Sequence, residues 1–174
     1  VHPQIRLIKA AKAKLSLIKP VNLKKLTERL SIYFPNKQFV FTDMGRTAFK
    51  VIIEKLNLQN SEMVLPAYIC DIFYPILKKY NIGPIFLDID LATFHIKPED
   101  IKNKITPNCR AILICHTYGL PFNVEKIKGY NLPIIEDCAH SFGADTGNSG
   151  QASFFSLYKQ FPTLRGGMMV CPRD

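Results

Sequence analysis

Residues 111–115, Ala111-Ile112-Leu113-Ile114-Cys115, form an unbroken apolar run with no polar side chain to turn toward water. A half-exposed strand alternates apolar and polar side chains, whereas one covered on both faces shows a continuous run of this kind. A second run, Pro133-Ile134-Ile135, ends at Glu136-Asp137 and reads the same way. Outward from this pair the chain alternates short β-forming runs with helical patterns. Phe39–Thr42 precedes a helical stretch from Arg46 to Leu56, and Met63–Leu65, broken by Pro66, precedes one from Asp71 to Tyr80. Ile85–Leu87 precedes a helix that Pro98-Glu99-Asp100 opens and that runs through Ile105. Val124–Lys128 supplies a short helix between the two buried runs. Ala152–Leu157 and Gly167–Cys171 are late strands with no room for a helix between them. That order predicts an α/β domain with a mostly parallel sheet flanked by helices.

The composition, 47% hydrophobic and 21% charged, is that of a globular chain and excludes a disordered one. No charge-free apolar run approaches the ~18 residues that a membrane helix needs. Lys and Arg interrupt the first apolar segment every few residues, so no secretory leader is expected. The five cysteines (70, 109, 115, 138 and 171) contain no CxxC pair, which argues against a zinc ribbon and a disulfide framework, and no metal site is expected. Free thiols in a reducing cytoplasm are the simplest expectation.

The net charge of +9 is lopsided: residues 1–30 contribute +7 and the remainder only +2. Ile5, Ile8, Leu15 and Ile18 fit loosely on one face of a helix over residues 4–18, which Pro20 stops. A basic amphipathic helix of this kind can rest on an anionic membrane or on nucleic acid. The preferred reading is a solvated lid packed on the domain, with no nucleic-acid partner. Asn22 is placed to cap a second helix running to Leu30. Residues 1–36 are thus read as a basic helical extension and 37–174 as the domain proper.

Ligands of open α/β sheets sit at the carboxyl ends of the strands. The side chains that fall there include Arg46 and Thr47, Tyr68 and Cys70, Asp88 and Asp90, His116 and Tyr118, and Glu136, Asp137 and His140. Gly45-Arg46-Thr47 joins a strand to a helix, where free amides bind anions and glycine lets the backbone approach closely. Neither a Walker loop nor a GxGxxG is present. Ser156-Leu157-Tyr158-Lys159 ends a buried strand, and a lysine desolvated there has a lowered pKa and a nucleophilic amine. Asp137 follows two buried isoleucines, where a carboxylate needs a cation or donors. An anion-binding turn, a nucleophilic lysine and a buried Asp together meet the requirements of pyridoxal phosphate: the Lys forms the Schiff base and the Asp keeps the pyridinium protonated. His95 and His116 are read as structural, Asp88 and Asp90 as turn caps, Phe154-Phe155 as core, and Cys138 as a small buried residue.

Five stretches carry a family resemblance: Thr42-Asp43-Met44-Gly45-Arg46-Thr47-Ala48, Val64-Leu65-Pro66-Ala67-Tyr68, Ile114-Cys115-His116-Thr117-Tyr118-Gly119, Ile135-Glu136-Asp137-Cys138-Ala139-His140-Ser141-Phe142-Gly143-Ala144, and Ser153-Phe154-Phe155-Ser156-Leu157-Tyr158-Lys159 with Gly166-Gly167 after it. In this order they resemble the DegT/DnrJ/StrS family of pyridoxal-phosphate-dependent aminotransferases of fold type I, which act mostly on nucleotide-linked keto sugars. The resemblance covers about residues 37–171. It implies that Lys159 is the Schiff-base lysine and the acid/base of proton transfer, and that Asp137 pairs with the pyridine nitrogen. It further implies that His140 contacts the cofactor's phenolic oxygen. Ser156 with Arg46 and Thr47 would bind the phosphate. A keto-sugar substrate, an amino-acid donor and a homodimer follow from the same resemblance.

The chain departs from the family pattern in several places. Cys70 stands where many members carry the aromatic residue that stacks on the cofactor, so either Cys70 or Tyr68 takes that role. Phe154 stands where the family serine often lies, so Ser156 or Ser153 substitutes, and Arg165 replaces a common Glu. In the dehydratase branch of the family a His replaces the Lys, and Lys159 argues against that branch. Members are longer than this chain. The resemblance therefore implies the N-terminal half only, an incomplete large domain without the C-terminal small domain. On that reading the chain is a fragment of a longer product or a relic that folds without turnover.

Overall fold

The computed structural model describes residues 22–173, so the helix read over residues 4–18 lies outside the described residues. The first element is α1 (Leu23–Tyr33), capped by Asn22, whose side chain accepts from the Lys25 amide at 2.9 Å. The cap is the one read from the sequence, and the helix runs past Leu30 to Tyr33. It turns Leu30, followed by Phe34, onto the sheet residues Phe155, Met168 and Val170. Asn22→Ala removes the cap acceptor and is expected to cost about 1 kcal/mol, a drop in thermal midpoint of about 2–4 °C by circular dichroism.

Seven strands follow: β1 (Lys37–Thr42), β2 (Glu62–Pro66), β3 (Gly83–Leu87), β4 (Cys109–Cys115), β5 (Ile134–Asp137), β6 (Ala152–Ser156) and β7 (Gly167–Pro172). They form one sheet in the order β1-β7-β6-β5-β4-β2-β3. The pairs from β3 through β6 are parallel, whereas β7 runs antiparallel to both β6 and β1. Two antiparallel pairings in succession restore direction, so β1 points the same way as β6. The carboxyl ends of β1, β2, β4, β5 and β6 therefore share one rim.

Alternation along the strands divides the core into two faces. Ala111, Leu113, Ile135, Phe154 and Met169 meet α2 (Gly45–Lys55) through Phe49, Ile52 and Ile53, and α3 (Phe73–Lys79) through Phe73 and Ile76. On the other face Ile112, Ile114 and Ile134 meet Ile101 of α4 (Pro98–Lys102) and Ile127 of the 3-10 stretch Val124–Tyr130. Both faces of β4 are covered, which is why its run is continuous. Phe154 and Phe155 take opposite faces and are core, as read.

One element departs from expectation. A one-turn helix, α5 (Leu157–Gln160), lies between β6 and β7, where no helix was expected. The Phe161 amide closes it onto the Leu157 carbonyl at 2.8 Å. Lys159 is thus carried on a turn rather than at a strand end. Gly167 explains how β7 then returns to the rim: a Cβ there would stand 2.2 Å from the Met44 carbonyl carbon, so only glycine lets β7 start against the entry to α2. Among the described residues no helix is long and apolar enough to cross a membrane.

Candidate active site

The shared rim holds two adjoining hollows of ≈ 290 and ≈ 260 Å³ with a common wall of Cys70, Asp137, Ala139 and Lys159. Each is close to the ~300 Å³ lower bound of ligand pockets. The sequence-read candidates from three different strand ends therefore converge.

Asp137 ends β5 and faces both hollows. One carboxyl oxygen accepts from the Ala139 amide at 2.9 Å and the other faces the Cys115 thiol at 3.8 Å. Burial pushes its carboxyl above the ordinary value, against the opposing pull of the Ala139 amide and the Lys159 charge. Glu136, one residue earlier, points the opposite way, as strand alternation requires. Its Oε1 accepts from the amides of Ser149 (2.9 Å) and Gly150 (2.6 Å), and its Oε2 from the Gly147 amide (2.9 Å) and His116 Nε2 (2.9 Å). Burial disfavours its charge, yet the His116 bond and the amides outweigh burial and hold this carboxyl below the ordinary value.

His116 Nδ1 accepts from the Phe122 amide at 3.0 Å, so the ring proton sits on Nε2. Ligand atoms of His116, Glu136 and Cys138 lie within 4.8 Å of one another, a set that by type can hold a metal. Here Nδ1 is engaged and Nε2 carries the proton, so His116 offers no lone pair. The cluster is a buried staple between loops. His95 is likewise structural, with Nε2 3.0 Å from the Leu120 carbonyl, and Asp88 and Asp90 cap turns through the Ile89 and Ala92 amides.

Lys159 is exposed, which corrects the expectation of a desolvated amine: α5 lifts it off the end of β6. Its Nζ lies 3.1 Å from His140 Nε2. Burial, with the Lys159 charge beside it, pulls the His140 imidazole below its ordinary value.

The second hollow reaches the start of α2 and is lined by Met44, Gly45, Arg46 and Ser156. A Cβ at Gly45 would stand 2.8 Å from Ser156 Oγ, so the glycine is what lets this buried hydroxyl lie beside the helix N-terminus. Thr47 departs from the reading: its amide bonds the Met44 carbonyl at 3.0 Å and its hydroxyl donates to Asp43 at 2.6 Å. Both groups brace the turn from within. Ser153, the other serine considered, faces away, its hydroxyl donating to the Gly147 carbonyl. Cys70 stands on the shared wall, whereas Tyr68 lines the first hollow alone and pairs its hydroxyl with that of Tyr118 at 2.6 Å.

Sequence reasoning gave no role to Ala139, Cys115 or Tyr118. Ala139 acts through its backbone, and the signal for it was its place between Asp137 and His140. Tyr118 adopts φ 56°, a left-handed conformation that no composition pattern announces.

The family model described as the DegT/DnrJ/EryC1/StrS aminotransferase family matches residues 6–174. GDP-perosamine synthase of Escherichia coli O157:H7 is 35% identical over 138 residues, which is 72% of this chain and 38% of that protein. GDP-4-keto-6-deoxy-D-mannose 3-dehydratase of Escherichia coli O55:H7 is 30% identical over 156 residues, 79% of this chain and 40% of that protein. The crystal structure of NtdA from Bacillus subtilis with bound cofactor PMP superposes with a TM-score of 0.86 at 24% identity, covering 98% of this chain and 43% of that one. The chain spans less than half the length of these relatives.

Proposed function

The chain belongs to the DegT/DnrJ/EryC1/StrS aminotransferase family, and from that premise we propose that it is the cofactor-binding part of a pyridoxal-phosphate-dependent aminotransferase. The enzyme would pass an amino group from an amino-acid donor to a nucleotide-linked keto sugar and work as a homodimer in the cytoplasm. Residues 37–174 form the cofactor-binding domain in this proposal, and residues 1–36 a basic extension. One observation carries it: Lys159 and Asp137 line the same two hollows, with the Gly45–Ser156 cradle at one end.

The residues present suit this cofactor. When bound, pyridoxal phosphate supplies an electrophilic carbonyl and a protonated ring that accepts the electron pair released at a substrate carbon. The N-terminus of α2, the Arg46 guanidinium and the Ser156 hydroxyl form an anion cradle for its phosphate. Thr47 supports that cradle through Asp43. Asp137 accepts the hydrogen bond of the ring nitrogen and keeps its proton in place, while the Ala139 amide orients the carboxylate. Cys70 and His140, which line the hollows, would flank the cofactor's ring and its phenolic oxygen. Lys159 Nζ would be the covalent anchor and, once freed, the base that takes up and returns a proton. A lysine here speaks for transamination over the dehydration named for one relative.

The test is direct. Pyridoxal phosphate added to the folded chain is expected to give an absorption band red-shifted from the free aldehyde. Borohydride should then fix the cofactor's mass on the peptide that carries Lys159. A folded chain that gives no band, or a mass fixed on other lysines, overturns the reading.

A further inference from the structure

We propose that His140 is a positioning residue: it holds the free amine of Lys159 by accepting one of its hydrogens at Nε2, from a ring plane set by Tyr118. The inference rests on the anchor role proposed for Lys159 and adds what keeps that amine in place whenever it is not bonded to the cofactor.

Lys159 is exposed on a one-turn helix, and its long stem carries about 2 kcal/mol of rotamer entropy. An amine that must return to one reacting carbon loses rate when it samples solvent. Its one hydrogen-bond partner among the described residues is His140 Nε2, at 3.1 Å. An ammonium only donates, so while Lys159 carries its proton Nε2 must be the acceptor. The ring of Tyr118 lies parallel to that of His140, at 2° between planes and 6.4 Å between centroids. Tyr118 is fixed in turn by the Tyr68 hydroxyl at 2.6 Å and by the edge of Phe94 at 5.3 Å. Its left-handed backbone is a strained conformation of the kind that persists only where the surroundings hold it.

The pair has a pH sense. Protonated His140 cannot accept and repels the ammonium, so the hold is lost in acid. The titratable and charged groups lining the hollows with the two side chains are Asp137 from β5, Cys115 from β4, His116 and Tyr118 from the loop after β4, Tyr68, Cys70 and Asp71 from the loop after β2, Arg46 from α2 and Tyr158 from α5. Burial and the Lys159 charge both pull the His140 imidazole below its ordinary value, which favours the accepting form.

Two measurements decide it. The first titrates the His140 ring by NMR in the chain without cofactor. Lys159→Met removes the neighbouring charge and is expected to move the His140 midpoint upward; an unmoved midpoint overturns the pairing. The second compares cyanoborohydride capture of pyridoxal phosphate on Lys159 at pH 8 and at a pH below the His140 midpoint that the NMR titration gives, in the wild type and in His140→Gln. Glutamine keeps an acceptor but does not titrate. The wild-type rate relative to His140→Gln is expected to fall roughly 2- to 10-fold between the two pH values, the worth of one hydrogen bond. A ratio that stays constant overturns the proposal. Should no variant capture the cofactor, the aminotransferase reading fails, and the NMR titration still decides the pair.

Discussion

Glu136→Ala is expected to destabilise the chain by about 3–5 kcal/mol, against the roughly 5–15 kcal/mol that holds a domain together. The Glu136 carboxylate is buried and takes four donors: the amides of Gly147, Ser149 and Gly150, and His116 Nε2. Alanine leaves all four without an acceptor: three lie at buried residues, where each unmade bond costs about 1–3 kcal/mol, and water can reach the fourth at exposed Ser149. His116 has no alternative, because a switch of tautomer would set an Nδ1 proton against the Phe122 amide. Glu136→Gln should fall between the two. Its oxygen can serve Ser149 and Gly150, but its NH2 then faces two donors. Urea midpoints measure the series, and a loss below about 1 kcal/mol for Ala would refute the staple. The acid limb gives a second check. The folded carboxyl lies below the ordinary value of about 4.3, so its contribution is present above that pH and is lost as pH falls through the folded value. The Ala variant should lack that part of the acid limb.

The staple also shows what the sequence made legible and what it hid. The two-sided burial of β4 and β5 is written in runs that contain no polar residue, because a strand covered on both faces has nowhere to put one. The rim followed from the strands, since parallel strands bring their carboxyl ends together wherever they lie in sequence. The antiparallel direction of β7 was not legible, because pairing sense is set by long-range contacts that no local pattern records, whereas β1 points toward the rim as its place in the reading required. Helix α5 was missed for a related reason: four residues of helix between two strands fall below any periodic signal. At the site, Lys159, Asp137 and a nearby serine could be named from chemistry and spacing, and Cys70 from the family resemblance, whereas the direction of each side chain could not. Thr47 is the example. Its type and place suit an anion, but Asp43, four residues earlier, claims its hydroxyl. Glu136 and Asp137 looked alike in sequence and differ only because successive strand residues face opposite sides.

That difference yields the second large expectation. Asp137→Asn should stabilise the chain without cofactor at neutral pH and weaken its uptake of pyridoxal phosphate by about 10- to 100-fold, the worth of a hydrogen bond to a charged group. Burial raises the folded carboxyl of Asp137 above its ordinary value of about 3.9. A raised carboxyl favours the folded state while protonated, and that advantage is lost as pH rises through the folded value. At pH 7 the ionised side chain therefore costs stability that the uncharged amide does not, and Asn keeps the shape and the acceptor for the Ala139 amide. Below about pH 4 Asp137 is protonated in both states, and the two proteins should melt together. The amide cannot hold a proton on a ring nitrogen, so what is gained in folding is lost in binding. Thermal melts at pH 7 and pH 3, paired with cofactor titrations, measure both sides. Opposed signs are what a carboxylate kept buried for a cationic partner requires. An Asn variant that melts lower at pH 7, or that binds pyridoxal phosphate as well as the wild type, would show that Asp137 is held in the fold by its amide neighbours alone and that the ring nitrogen is not its partner.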